Sequence, residues 1–423
     1  MEVKSGYKRI GSKLIPEDWD FVSLETVTTR IGDGLHGTPV YSSNGVYPFI
    51  NGNNLADGNI VITSDTKMVD YSEFRKNFKP LSNNSILISI NGTIGNLALY
   101  NEEQIILGKS AAYINVIPEI LREFVYYCLQ SNLVRKFFSN GLTGSTIGNL
   151  SLATIRRTFI PLPSLNEQKN IVTALRDTDK LLNTIDQLIF KKRNIKQGFI
   201  QEYLNGQSRL PGFCGDWEIK FLGEIGEISS AGVDKKIHLD EVPVRLVNYL
   251  DVYNRDFIYS KDLNHSVTAT KQQVIRCNVK KGDIFFTPTS ETRDDIACSA
   301  VSMEDIPDAT YSYHVTRLRL HEEWDLLFSA YIFKTRDFLD QAEKLCDGNG
   351  TRYVISQSKF RSMTIKVPEI SEQTAIGKIL FDMDTELDLL EARKNKTLHL
   401  KQAIMEEILS GKTRLIKSEK MNA

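Results

Sequence analysis

Cysteine is sparse in this 423-residue sequence. The five residues, Cys128, Cys214, Cys277, Cys298 and Cys346, are scattered and never spaced as Cys-x-x-Cys. That indicates neither a zinc site nor a disulfide framework, and it fits a reducing cytoplasm. The six histidines, His36, His238, His265, His314, His321 and His399, show no metal-ligand spacing either. No apolar run approaches the roughly 20 residues that a membrane-spanning helix needs. The polar start Met1-Glu-Val-Lys-Ser-Gly-Tyr-Lys-Arg9 lacks the apolar stretch of a secretory signal. An excess of one charge is missing as well. Lys and Arg number 52 against 53 Asp and Glu, a formal net charge of −1. No global basic field announces nucleic acid, so any such binding must use local patches.

Catalytic signatures are missing too. Gly108-Lys-Ser110 has the ending of a phosphate-binding loop, but Glu103 stands where its first glycine belongs. No HExxH, GxSxG or GxGxxG occurs, nor the Asn/Asp-Pro-Pro-aromatic tetrapeptide of amino-methyltransferases. These absences argue against a stand-alone enzyme. What is present is ordinary for globular protein: 41% apolar and 25% charged residues, in a chain long enough for two or three domains.

The dominant feature is a repeat. Pro163–Leu210 returns without gaps as Pro368–Leu415, a shift of 205 residues with 16 identities over 48 positions. The identities include Glu167/Glu372, Gln168/Gln373, Asp179/Asp384, Lys196/Lys401, Gly206/Gly411 and Arg209/Arg414. Each copy reads as one long helix. Asn166 and Ser371 suit the N-cap, with Leu165 and Ile370 at the preceding staple position. Ile171, Leu175, Leu182, Ile185 and Ile189 follow helical spacing, as do Ile376, Leu380, Met383, Leu387 and Leu390. Gly206 and Gly411 fall where a C′ glycine belongs. About 38 residues at 1.5 Å rise make a rod of about 57 Å. The spacing suggests a coiled-coil pair; two unrelated core helices are the alternative, which the repeat disfavours. Lys191-Lys-Arg193 with Lys196, and Arg393, Lys394, Lys396 and Lys401, interrupt the rods. They suit a solvated, register-setting face somewhat better than a DNA contact.

The duplication extends to the start of each preceding block, where Trp19 matches Trp217 and Leu24 matches Leu222. The chain therefore divides into a lead-in (1–16), a block (17–162), a helix (163–210), a block (215–366), a helix (367–415) and a tail (416–423) in which disorder is expected. Short runs such as Tyr47–Ile50, Ile60–Ile62, Ser85–Ile90 and Ala112–Ile117 predict strands. So do Val244–Asn248, Asp283–Thr287 and Tyr313–Leu320. Single helices are predicted over Glu119–Phe138 and near Leu326–Glu343. These are α+β blocks of about 150 residues, each able to bury its own core.

Polar, glycine-rich loops carry donors suited to base edges and phosphates. In the first block these are His36, Gly37 and Thr38, then Lys109 and Ser110, then Thr143, Ser145 and Thr146, followed by Arg156. In the second they are Asn248 and Tyr249, then Thr289, Ser290 and Arg293, then Thr351, Arg352 and Tyr353 with Gln357. Any one loop could be an ordinary turn; it is their clustering in duplicated positions that points to DNA.

The organisation resembles the specificity subunit of type I restriction-modification systems. The matching residues are Pro16–Trp19, His36–Pro39, Pro161–Gln168 with its partner Val367–Gln373, and the Leu-x-Gly helix ends Leu204–Gly206 and Leu409–Gly411. The resemblance covers nearly the whole chain. It implies an α+β fold with an internal two-fold repeat, in which two target-recognition domains are separated by a pair of long antiparallel coiled-coil helices. Each domain would read one half of a bipartite, asymmetric site in double-stranded DNA. The helices would set the spacer and dock two methyltransferase subunits for adenine N6 methylation, and two restriction (motor-nuclease) subunits would join for cleavage. No cofactor is expected in this chain: S-adenosylmethionine would sit on the methyltransferase, ATP and Mg on the motor-nuclease. Neither catalysis nor membrane attachment is expected of it. A coiled-coil adaptor binding only proteins, and the recognition subunit of a related restriction system, are the competing readings.

Overall fold

The computed structural model describes residues 5–11, 13–143, 148–350 and 352–416; the expected tail beyond residue 416 lies outside them. Two compact units emerge, one of residues 1–185 with 393–423, the other of residues 186–392. Both long helices are continuous, Leu165–Tyr203 and Ile370–Leu409, and each contributes one half to each unit. A unit is thus a globular block, the first half of the helix that follows it, and the second half of the other helix.

In the first unit, the strands Leu97–Leu99, Ser85–Ser89, Ala111–Val116 and Thr28–Asp33 form an antiparallel sheet in that order. Ser85–Ser89 and Ala111–Val116 are buried at every position, because both of their faces are covered. A smaller sheet orders Ile106–Leu107, Tyr47–Ile50 and Met68–Val69. In the second unit a five-stranded sheet runs Gly226–Ser229, Thr316–Leu320, Ile284–Phe286, Ser299–Ser302, Phe257–Ile258. Beside it lies a four-stranded sheet of Ser266–Ala269, Val242–Val247, Ile306–Tyr311 and Asn278–Val279. Each block closes the same way. The strand just before the long helix pairs with the opening strand, Phe159–Leu162 with Asp20–Ser23 and Thr364–Val367 with Glu218–Phe221.

Four local expectations are corrected. The segment 119–138 is not one helix but two, Arg122–Gln130 and Asn132–Asn140. Ser131 breaks it: its hydroxyl accepts the Val134 N–H and donates to the Cys128 carbonyl, offering the backbone an alternative to helix continuation. The second block repeats the break, with helices Leu326–Ile332 and Arg336–Leu345 and the Thr335 hydroxyl donating to the Ile332 carbonyl. Finally, the long helices begin at Leu165 and Ile370, so Asn166 and Ser371 lie inside the first turn and are not caps. The first free N–H groups go to Ser164 and Glu369 instead. Leu165 and Ile370 are exposed rather than stapled. Gly206 and Gly411 do end the helices in the left-handed region, at φ 67° and 73°.

The repeated Glu-Gln pair explains itself in packing. The Gln168 amide donates to the Pro163 carbonyl at 3.0 Å and accepts the Leu121 N–H at 3.1 Å. Gln373 likewise donates to Pro368 at 3.0 Å and accepts the Asp325 N–H at 3.1 Å. Each glutamine fastens its helix to the block before it. The glutamate beside it reaches the other copy. Glu167 accepts from Trp19 Nε1 at 2.9 Å and takes a two-pronged contact from Arg414 at 2.7 and 2.8 Å. Glu372 accepts from Trp217 Nε1 at 3.1 Å and from Arg209 at 2.8 and 2.5 Å. The side chain of Glu372 has 0% of its surface exposed. Arg414 also grips Asp18 at 2.9 and 2.7 Å and holds that carboxyl below its usual range.

A second duplicated contact follows along each helix. Lys401 meets Asp179 at 2.6 Å while the Tyr127 hydroxyl donates to the same carboxylate at 2.8 Å. In the second unit Lys196 pairs with Asp384, and Tyr331 donates to Asp384 at 2.7 Å. Lys192–Glu386 and Arg193–Glu391 continue the series. Within each unit numbers rise along one helix as they fall along the other, so the two halves run antiparallel. Lys192, Arg193, Lys196 and Lys401 are thus committed to the opposite helix, the register-setting alternative offered by the sequence.

Glu372→Ala is expected to destabilise the second unit by about 3 kcal/mol, because it strands a guanidinium and an indole N–H. Lys192→Ala, at a half-exposed pair, is expected to cost less than about 0.5 kcal/mol. Denaturant unfolding of the two variants distinguishes them, and equal shifts would refute the claim that the buried contact governs register.

Candidate nucleic-acid interface

In the first unit, the strand Thr28–Asp33 runs into the loop holding His36, Gly37 and Thr38. Leu35 bridges to Gly108, which places that loop beside Lys109 and Ser110. The approach needs glycine on both sides. A Cβ on Gly34 would lie 2.2 Å from the Gly108 carbonyl oxygen, and one on Gly108 would lie 2.2 Å from Asn51 Oδ1. His36 is exposed and its ring meets Asp33 at 2.6 Å. Gly37, Thr38 and Lys109 are exposed; Ser110 is committed inward, donating to Asn51 Oδ1 and accepting the Gly52 N–H, both at 2.9 Å. Asn91 joins the cluster through a bridge to Asn149 and a contact to the Lys109 carbonyl at 3.4 Å. Thr143 belongs to a short strand, Leu142–Thr143, paired with Asn149–Leu150; Ser145 and Thr146 lie outside the described residues. Arg156, on the short helix Leu152–Arg156, donates to the Ile31 carbonyl at 3.0 Å.

In the second unit the structure gathers more of the expected residues. Thr289–Ser290 pairs with Arg352–Val354, setting Ser290 opposite Tyr353. The Tyr249 hydroxyl donates to the Thr289 carbonyl at 3.0 Å. Arg293 lies over the Tyr353 ring, 5.1 Å from its centroid. Tyr249, Thr289, Ser290 and Arg352 line one groove of about 530 Å³, together with Tyr253, Asp295 and His314. Asn248 caps the helix Tyr249–Tyr253 by accepting the Tyr249 N–H, and Gln357 donates to the Ile228 carbonyl at 2.5 Å. Both serve the local fold. Thr351 lies outside the described residues.

Sequence reasoning passed over Tyr253, Asp295 and His314. Nothing in their local pattern marks them; the groove is assembled from four separate segments. Tyr253 stacks on Tyr249 with centroids 5.8 Å apart and donates to Asp295 at 2.6 Å. That hydrogen bond, reinforced by the aspartate charge, pushes the phenol up to about 12. Burial, with Lys235 and Arg352 nearby, pushes His314 down, so its ring is neutral at pH 7. Among the described residues no group of three or more His, Cys, Asp or Glu could hold a metal ion, and no helix is long and apolar enough to cross a membrane.

Comparison with known proteins finds one family twice. The model described as the type I restriction modification DNA specificity domain matches residues 16–191 and 215–399. The MjaVIII specificity subunit of Methanocaldococcus jannaschii is 22% identical, over 97% of both chains. The EcoKI specificity subunit of Escherichia coli K12 is also 22% identical, over 94% of this chain and 89% of its own. Among solved structures, the S subunit of the M. genitalium type I restriction-modification system superposes with a TM-score of 0.54 at 16% identity, covering 95% of this chain and 98% of that one. A chain from work on complex assembly and conformational transition of the type I system gives 0.60 at 15% identity, covering 94% and 99%. These likenesses show a shared fold.

The Tyr253–Asp295 contact has a spectroscopic consequence. A phenol held up by a carboxylate stays neutral as pH rises through 10, and the contribution of the bond is lost only between its ordinary value and about 12. Ultraviolet titration of Asp295→Asn is expected to show one tyrosine ionising closer to pH 10 than in the parent; an unchanged titration curve would refute the pairing.

Proposed function

The chain belongs to the type I restriction-modification DNA specificity family, and on that premise we propose that its two blocks each read one half of a bipartite, asymmetric target in double-stranded DNA. One observation carries the reading. The residues that bind the two copies together are duplicated in kind, Trp–Glu–Arg and Tyr–Asp–Lys in each unit. The loops recur in duplicated positions, but the residues they display differ: His36, Thr38 and Lys109 in the first unit, Tyr249, Thr289, Ser290 and Arg352 in the second. A frame held constant beneath dissimilar surfaces is what two different half-sites require.

The long helices act as an antiparallel coiled coil whose length sets the unread spacer. Two methyltransferase subunits dock on this chain, presenting S-adenosylmethionine to an adenine flipped from each half-site for N6 methylation. Two motor-nuclease subunits, carrying ATP and Mg, add cleavage. Recognition belongs to this chain and catalysis to its partners, in the cytoplasm.

Methylome sequencing of cells expressing the chain with its partners tests this. A motif of two fixed halves around a gap of constant length is expected. Replacing residues 17–162 by the corresponding block of another family member should change one half only. Inserting seven residues at the middle of each long helix should lengthen the gap and leave both halves intact. An ungapped motif, or a block exchange that altered both halves, would sink the proposal.

A further inference from the structure

A second groove, in the first unit, runs along the strand Thr28–Asp33 and has a volume of about 500 Å³. We propose that this groove seats a phosphate of the DNA backbone, bound by Arg30, Lys79 and the Tyr113 hydroxyl. The proposal rests on the DNA-reading function above and names a contact that fixes the duplex on the first unit.

The strand alternation turns Ile31 into the core and leaves Arg30 exposed beside the groove. Opposite, Tyr113 pairs in register with Gly32. The ring lies over the glycine so closely that a Cβ there would come within 2.6 Å of the phenol oxygen. Packing thus buries Tyr113 to 1% exposure while its hydroxyl opens into the groove, where no group among the described residues accepts from it. Burial raises that phenol, so it remains a donor at neutral pH. An O–H that opens into a groove with no protein acceptor is free to donate to a ligand or to water.

The remaining charges decide the ligand. Among the described residues the side chains of Arg30 and Lys79 have no hydrogen-bond or ion-pair partner. Arg156 also lines the groove, with one N–H given to the Ile31 carbonyl. Of the two carboxylates present, Asp33 is engaged by His36 at 2.6 Å, and Glu25 precedes the strand in the turn Leu24–Val27. Arg30, Lys79 and Arg156, with a neutral O–H, outnumber the two carboxylates, so donors dominate the groove. It fits an anion. The groove of the second unit differs in balance: Glu291 and Asp295 are set against a single lining cation, Arg352, whereas the first has three cations to two carboxylates. The seat is therefore a property of the first unit alone.

Salt titration of the chain assembled with its methyltransferase partners, on a cognate duplex, tests the proposal. Arg30→Gln with Lys79→Gln is expected to weaken binding about tenfold or more and to flatten the log–log salt dependence by about 1–2, with the methylated motif unchanged. Tyr113→Phe, which removes only the hydroxyl, is expected to weaken binding several-fold with the salt dependence and the melting temperature of the free chain preserved. Wild-type affinity and slope in the double variant would overturn the seat. So would a changed base in the motif, which would make these residues base readers. Loss of inorganic phosphate binding by the double variant with intact DNA affinity would also overturn it, assigning the groove to a free anion. A parent complex that bound no defined sequence would instead refute the DNA-reading function itself.

Discussion

A carboxylate shielded from water is tolerable only where charge and hydrogen bonds answer it on every side, and Glu372 has no exposed side-chain surface. Its answer comes from Trp217, which opens its own block, and from Arg209, which follows the helix of the other copy. Glu167 is answered in the same way by Trp19 and Arg414, across 148 and 247 residues of sequence. Neither unit can be completed by one copy of the repeat. The first needs residues from beyond position 393, and the second needs the last part of the first long helix. Closure of each unit is therefore a long-range event that brings its ordering cost before its reward.

The same contacts explain why the helices do not slide. A seam of Leu and Ile is nearly as well packed after a shift of one heptad, so apolar burial alone sets register weakly. A buried glutamate with one matching arginine makes the shifted state expensive, because it would leave two charges desolvated and unpaired. The Tyr–Asp–Lys contacts repeat the constraint further along each helix, in more solvent-accessible form. Stability of the pair and specificity of its register thus rest on different residues. The leucines and isoleucines supply most of the burial, and Glu167, Glu372, Asp179 and Asp384 select one alignment.

Much of this was legible because duplication exposes what drift has not erased. The shift of 205 residues singled out Glu167/Glu372, Asp179/Asp384, Lys196/Lys401 and Arg209/Arg414. Every one of these pairs proves to lie in an inter-copy contact. What the spacing could not show was which identity meets which, since the partner of Glu167 is Arg414 and not the nearer Arg209. The broken helices were hidden for a different reason. Apolar periodicity runs straight through Ser131, and only the competing hydrogen bonds of its hydroxyl reveal the turn. Tyr113 was hidden most deeply. In sequence it is one more residue of a buried strand, and its unanswered hydroxyl exists only because Gly32 lies across the sheet. The candidate surface of the second unit was more legible, because Thr289, Ser290, Arg352 and Tyr353 meet through simple strand pairing.

Near-neutral net charge and DNA recognition are compatible once the cations are sorted by partner. Lys192, Arg193, Lys196, Lys401, Arg209 and Arg414 each face a carboxylate of the frame at ion-pair distance. Beyond a screening length of about 8 Å such pairs contribute little field. Those cations therefore add to the basic count of the chain without adding to its pull on a polyanion. Among the described residues Arg30, Lys79, Lys109 and Arg352 have no carboxylate within ion-pair distance. Their charge is not cancelled at ion-pair range, and a phosphate contact acts at that range. In a chain built this way the overall balance of acids and bases reports mainly on how the frame is held together, and a net charge of −1 leaves room for local basic patches.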